Sequence, residues 1–377
     1  MHVTGSRGRL LTSRRSMLGL AGVAAGSSLL PRAGRADAAS TIMPRRPIAP
    51  TDALIAFGHT GPITDGGWSM VHDRGVQAVR RAFPGIRTVY VESVPYSADA
   101  TRIFRQFVAE GANMVFATSE YGDFIKDVSD RAPDVAFMEC DGTTLTPNLG
   151  WYYVSHWYAS YIIGIAAGLM SKTGRLGFIG AFPIPSVYAS ANATLLGAQS
   201  VNPAMTLQGI TINAWFDPQA ATQAATALVD NGCDFLCGIM DEPAYLRVAV
   251  ARGVRAAMWN TGMLKYGPEA YVSSVVLDFN DFYVAQVRAL LDGTWRPSAA
   301  FLTLGHGVDR DAWGPGVPEG VARQADDMRD RMLAGYNPFR GPIHDNHGQL
   351  RVAAGVTLDD AAIYHCDWAV AGVSGLG

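Results

Sequence analysis

The sequence predicts an α/β protein made of two doubly wound, parallel-sheet lobes joined by a hinge. Three observations carry that expectation. Short apolar runs recur along the chain without the alternation of a half-exposed strand, as parallel strands covered on both faces require. A longer stretch of helical period follows each run, and this repeat is that of a doubly wound sheet. Two such series stand in tandem, the second starting after Trp151.

In the first series, strands are predicted at Ala53–Gly58, Thr88–Glu92, Met114–Ala117 and Val135–Glu139. Helices lie between them near Trp68–Phe83, Ala98–Glu110 and Gly122–Arg131. The second series opens with a helix at Trp157–Lys172. It continues through strand Leu176–Ile179, helix Ser186–Val201, strand Leu207–Ile212 and helix Pro218–Asn231. Strand Phe235–Ile239, helix Pro243–Arg252 and strand Arg255–Trp259 complete it. Tyr271–Leu277 reads as a strand recrossing the boundary, and helix Asp281–Asp292 as the return to the first lobe. A Gly- and Pro-rich tail follows, with one clear helix at Pro318–Leu333. The expected division is therefore 53–150 with about 278–300 as lobe 1 and 151–277 as lobe 2. A tail, 301–377, crosses the hinge. Two lobes of this size suit typical domain dimensions.

The N-terminus speaks to the compartment. Ser13-Arg14-Arg15-Ser16-Met17-Leu18, a short apolar run and Ala36-Asp37-Ala38 have the form of a twin-arginine export signal over 1–38. A Pro-rich spacer, 39–52, precedes the first strand. The expected product is soluble and periplasmic, because no apolar run is long enough to span a bilayer. The chain has 30 Lys+Arg and 33 Asp+Glu; removing 1–38 takes away six arginines and one acid, leaving 24 against 32 and a formal net of −8. Such a balance argues against a nucleic-acid partner, which would need a basic face. The four cysteines, Cys140, Cys233, Cys237 and Cys366, match no zinc or haem spacing, and sequence does not choose between free thiols and disulfides.

Catalytic signatures are absent: there is no G-x-S-x-G elbow, no P-loop lysine motif and no H-E-x-x-H helix. His344-Asp345-Asn346-His347 lies in a Gly/Pro-rich loop and reads as a polar surface turn. Neither a metal nor a cofactor is expected. What recurs instead is a polar or aromatic group at the carboxyl end of each predicted strand, where ligands sit in open α/β sheets. The first of these loops, Gly61-Pro62-Ile63-Thr64-Asp65-Gly66-Gly67-Trp68, offers a carboxylate, two glycines and an indole. Ser119 and Tyr121 follow the third strand and Asp141 the fourth. Trp215 and Asp217, then Asp241, then Asn260 follow strands of the second lobe. Asp217 and Ser119 are also good helix caps taken singly. Together these ends describe a small-molecule site with aromatic walls and a few placed hydrogen bonds. Trp68 and Trp215, from opposite lobes, can sandwich a flat heterocycle, and no arginine stands in these loops to favour a phosphate or carboxylate.

These segments resemble the basic membrane protein (BMP) family of ABC-transporter substrate-binding proteins, whose characterised members bind purine nucleosides or nucleobases. The similar segments are Gly61–Trp68, Tyr90–Pro95, Phe116–Ser119, Gly180–Pro185, Gly197–Pro203, Trp215–Pro218 and Asp292–Trp295. The resemblance implies a type I periplasmic-binding-protein fold and an ABC permease as partner. It also implies stacking of a base between Trp68 and Trp215, a purine-edge contact at Asp141 and a ribose contact at Asp241. Asn260 and Gly262 stand where family members often carry acids, and Gln219-Ala220-Ala221 where many carry a Glu. The resemblance therefore does not separate a nucleoside from a free base or another flat heterocycle. Two other functions share these features: a sensor subunit presenting its ligand to a membrane receptor, and a secreted nucleoside hydrolase using Asp65, Asp141 and Asp241 as acid and base.

Overall fold

A computed structural model describes residues 46–376. The expected export signal and the start of the spacer lie outside these residues. In chain order the first half runs β1 (Leu54–Gly58), α1 (Trp68–Ala82), β2 (Arg87–Val91), α2 (Ala98–Ala109), β3 (Met114–Ala117), α3 (Asp123–Arg131), β4 (Ala136–Cys140) and β5 (Leu149–Val154). Next come α4 (Trp157–Met170), β6 (Arg175–Gly180), α5 (Pro185–Gln199), β7 (Thr206–Thr211), α6 (Pro218–Asp230), β8 (Phe235–Gly238), α7 (Ala244–Arg252) and β9 (Arg255–Met258). The remainder is β10 (Tyr271–Leu277), α8 (Asn280–Leu291), β11 (Ala299–Leu302), β12 (Val308–Arg310), α9 (Glu319–Leu333), β13 (Ile343–His344), β14 (Leu350–Val352), α10 (Asp360–Tyr364) and β15 (Val373–Ser374).

Two sheets result. The first has the order β11-β5-β4-β3-β1-β2 and is parallel throughout. The second has the order β12-β10-β9-β8-β6-β7-β15, parallel except for the antiparallel edge strand β12. Strands β1, β3, β4 and β8 are buried along their whole length, which explains why their sequences are apolar without alternation. The chain changes direction in both sheets between β1 and its neighbours or β6 and its neighbours, so both sheets open a crevice at their carboxyl ends.

One element differs from the sequence reading. Leu149–Val154 forms a strand that pairs with β4 on one side and β11 on the other, so the first sheet continues through Val154 rather than stopping at Gly150. Its β11 partner lies far along the chain, and Gly150 meets the Ser298 backbone so closely that a Cβ there would stand 2.7 Å from the Ser298 carbonyl oxygen. The recrossing strand β10 belongs to the second sheet, after which α8 packs on α1 and β11 closes the first sheet. From Val308 onward the tail supplies both edges of the second sheet.

Packing is closest between α4 and α5. A Cβ on Gly164 would lie 2.1 Å from the Thr194 carbonyl oxygen, and one on Gly197 would lie 2.1 Å from that of Tyr161, so the two helices touch backbone to backbone. All four cysteines are buried and unpaired. Among the described residues, no helix is long and apolar enough to cross a membrane.

Candidate functional site

A cavity of about 1090 Å³ opens where the carboxyl ends of the two sheets face each other. Asp65, Trp68, Ser119, Asp141, Trp215 and Asp241 all line it; Tyr121, Asp217 and Asn260 do not.

The loop after β1 is organised by its own carboxylate. Asp65 accepts hydrogen bonds from the backbone N–H groups of Gly67 (2.8 Å), Ser69 (2.8 Å) and Met70 (3.1 Å). A negative charge there also opposes the positive end of the α1 dipole. The turn this makes sends the Trp68 indole against the cavity, where its Nε1 donates to the Thr118 carbonyl at 2.7 Å. His72 and Phe279 hold the ring edge-on from behind. The same loop reaches the second lobe: Thr261 Oγ1 donates to the Gly66 carbonyl at 2.9 Å, and the Trp68 backbone N–H donates to Asp241. Gly67 has no room for a side chain, since a Cβ would lie 2.6 Å from Asp241 Oδ1 and 2.7 Å from Asp241 Cβ.

The first-lobe wall is acidic. Asp141 sits at φ 60°, in the left-handed region that an Asp tolerates better than most residues. Its N–H donates to the Tyr152 carbonyl and its own carbonyl accepts from the Tyr364 hydroxyl, while its Oδ1 has no partner. Burial, with Glu120 and Glu139 adding repulsion, pushes its carboxyl up to about 8. Glu139 stands behind it, accepting from the N–H groups of Tyr121 and Gly122, and burial raises it to about 7. Ser119 Oγ accepts from the Tyr96 hydroxyl at 2.6 Å on the cavity side.

From the second lobe, Trp215 lies 36% exposed, its ring tilted against Phe182 at 5.6 Å between centroids. Asp241 donates its N–H to the Trp215 carbonyl and accepts from Asn260 Nδ2. Burial, then the nearby charge of Asp65, raises its carboxyl to about 8. Both lobes thus present a carboxyl whose charged form is disfavoured in the empty cavity.

Three expected site residues have other work. Tyr121 is buried in the first-lobe core, where its hydroxyl donates to the Val94 carbonyl at 3.0 Å. Asp217 caps α6 by accepting from the N–H groups of Gln219 and Ala220. Asn260 is fully buried behind Asp241 at φ 65°, so it reaches the cavity only through that carboxyl. Conversely, Tyr96, Glu120, Tyr153, Phe182, Tyr364 and His365 line the cavity without having been singled out. Glu120 and Phe182 stand inside quoted strand-end segments and could have been found; Tyr364 and His365 carry no local signal.

Chemically, the cavity combines three indoles (Trp68, Trp215 and Trp259), three phenol rings (Tyr96, Tyr153 and Tyr364) and four carboxyls (Asp65, Glu120, Asp141 and Asp241) with no lysine or arginine among its lining residues. An anion would find no lysine or arginine to pair with. A flat, neutral or cationic molecule rich in N–H or O–H donors is complementary. The buried histidines stand elsewhere: His72 Nδ1 meets the Tyr283 hydroxyl at 2.6 Å, and His59 and His156 are enclosed in the fold. Among the described residues no group of three or more His, Cys, Asp or Glu could hold a metal ion. Asp345, in the His344–His347 turn, is occupied by the N–H groups of His347 and Gln349 and by Arg351.

Comparison with known proteins agrees with this geometry. The chain is 33% identical over 322 residues to a purine-binding protein of Brucella abortus (strain 2308), covering 85% of this chain and 92% of that one. It is 35% identical over 280 residues to a protein of Haloferax volcanii named for glucose binding by an ABC transporter, covering 74% of this chain and 71% of that one. In fold it is similar to an ABC-transporter solute-binding protein from Conexibacter woesei, with a TM-score of 0.62 at 21% identity over 75% of this chain and 97% of that one. Residues 53–308 match the profile of PnrA-like ABC transporter substrate-binding proteins, and the chain belongs to that family, Bmp.

Proposed function

We propose that this protein binds a purine nucleoside, a purine base or a similar flat heterocycle between its lobes and delivers it to an ABC permease, after export to the periplasm by the twin-arginine route. The observation that carries the reading is the pair Trp68 and Trp215, which line one cavity from opposite lobes. Two opposed indoles suit a ligand with two flat faces. Asp141 and Asp241 supply acceptors for a base edge and for hydroxyl or N–H groups, and the absence of a cationic side chain among the lining residues disfavours nucleotides. The similarity to the Brucella purine-binding protein supports the same ligand class. Calorimetric titration with adenine, guanine, hypoxanthine and their nucleosides tests it; no heat and no thermal shift with any of them refutes it.

A second reading, a hexose, is favoured by the similarity to the Haloferax protein named for glucose binding. A pyranose stacks on one ring and uses carboxylates for its hydroxyls. Glucose in the same titration separates the two: binding of glucose without any purine would replace the heterocycle.

A further inference from the structure

The segment matched by the family profile ends at residue 308, yet the chain returns to the cavity at Tyr364 and His365. Helix α10 packs on α5, and Asp360 at its start accepts from Trp157 Nε1 (3.3 Å) and from the Tyr158 hydroxyl (2.9 Å). Asp359 caps it by accepting from the Ala362 N–H. Thus fixed to the second lobe, the helix carries Tyr364 across to the first. There the ring stacks on Trp151 at 5.9 Å and 12° and meets Tyr153 at 4.7 Å, while the hydroxyl donates to the carbonyl of Asp141.

The residue receiving that bond is the one with the unusual backbone. A left-handed conformation at a non-glycine residue costs free energy and persists only where the surroundings over-determine it. At Asp141 two groups do so: the Tyr152 carbonyl takes its N–H, and the Tyr364 hydroxyl holds its carbonyl. The side chain so directed ends in a buried Oδ1 without a partner, on the cavity wall.

We infer that Tyr364 is the positioning residue for Asp141, so that the tail beyond the segment matched by the family profile sets how the first-lobe carboxyl meets the ligand. The inference rests on the reading of the cavity as the ligand site, and on Asp141 as one of its contacts. It assigns the tail a part in selectivity: chains that share residues 53–308 but differ in the tail would aim the same carboxyl differently.

Tyr364→Phe keeps the stacked ring and removes only the hydroxyl. Two measurements decide the matter. In ligand-free crystal structures of wild type and Tyr364→Phe, Asp141 is expected to leave the left-handed region in the variant and its carboxyl to turn from the cavity; an unmoved Asp141 overturns the inference. In titrations with adenine, guanine, hypoxanthine and their nucleosides, Tyr364→Phe is expected to weaken the bound member about two- to tenfold, the range for one lost hydrogen bond. The loss should vanish when Asp141 is already Asn. An equal loss in both backgrounds means that Tyr364 acts through general packing and overturns the inference, as does no loss at all. If wild type binds none of these compounds, the purine reading fails alone, and the crystal structures still decide the role of Tyr364.

Discussion

Gly67 is the place where a single methyl group tests how the two lobes meet. A Cβ built there would stand 2.6 Å from Asp241 Oδ1, 2.7 Å from Asp241 Cβ and 2.9 Å from Asp241 Cγ. Nonbonded heavy atoms settle near 3.5–4.0 Å, so something must withdraw by about 1 Å. Asp241 is poorly placed to yield, because its carboxyl accepts from Asn260 and its N–H is held by the Trp215 carbonyl. The loop of Gly67 is tied down in turn by Asp65 and by Thr261. The easiest relief is separation of the lobes along this contact. Overpacking of this kind costs about 1–3 kcal/mol. Hinge closure around a ligand needs this contact, and without a ligand the lobes can part to relieve the clash, so the cost falls mainly on the bound arrangement. Gly67→Ala should therefore weaken binding by roughly 5- to 150-fold, at 1.4 kcal/mol per decade. The melting temperature of the ligand-free protein should change little. Calorimetry against the ligand found in screening, with small-angle scattering to follow the opening, measures both. Affinity within twofold of wild type would refute the argument that this contact belongs to the bound state.

Other substitutions separate stacking from packing. Trp215→Ala should lower affinity for a flat ligand by about 1–3 kcal/mol, by analogy with base–aromatic stacking, and leave folding intact because the ring is 36% exposed. Trp68→Ala should lose affinity and stability together, since it also breaks the bond to Thr118 and the contacts with His72 and Phe279; parallel melting curves and titrations show whether the two differ as stated. Tyr121→Phe should cost about 1 kcal/mol of stability by stranding the Val94 carbonyl while leaving ligand affinity unchanged, and a binding defect at wild-type stability would return Tyr121 to the site. Two opposed pH trends are expected in the stability of the ligand-free protein. Burial lowers His59 to about 4 and His156 to about 3, so stability present above pH 6.5 is lost as pH falls toward those values. Asp141 and Asp241, raised to about 8, contribute stability at low pH that is lost as pH rises through 8. Asp141→Asn should remove the decline in melting temperature that Asp141 causes between about pH 4 and pH 8; an unchanged decline across that window would contradict this assignment.

The alternating series was legible because strands such as β1, β3, β4 and β8 are covered on both faces and helices such as α1, α2 and α3 show one apolar side, so these units declare themselves locally. Strand β5 did not, since its sequence, Leu-Gly-Trp-Tyr-Tyr-Val, borders α4 directly and its outer partner β11 lies almost 150 residues away. The tail strands are short and take their partners from β10 and β7, which no local pattern announces. In the cleft, strand-end position was a good guide to which loops meet, but not to where each side chain spends its polar atoms. Tyr121 turns inward because Val94 offers a carbonyl, and Asp217 turns to its own helix because two N–H groups stand open there. Tyr364 was invisible because its relation to Asp141 is purely tertiary.

The four buried, unpaired thiols have a practical side. Burial raises Cys233 and Cys366 to about 11, Cys237 to about 12, and Cys140 well above its ordinary range, so the reactive thiolate is suppressed at every native position. A thiol reagent at neutral pH finds no target on the folded chain. A cysteine introduced at Leu145, 55% exposed and two residues from the cavity-lining Thr143, would then take an environment-sensitive dye alone. Without removal of any native residue, the protein becomes an optical reporter of whatever enters its own cavity.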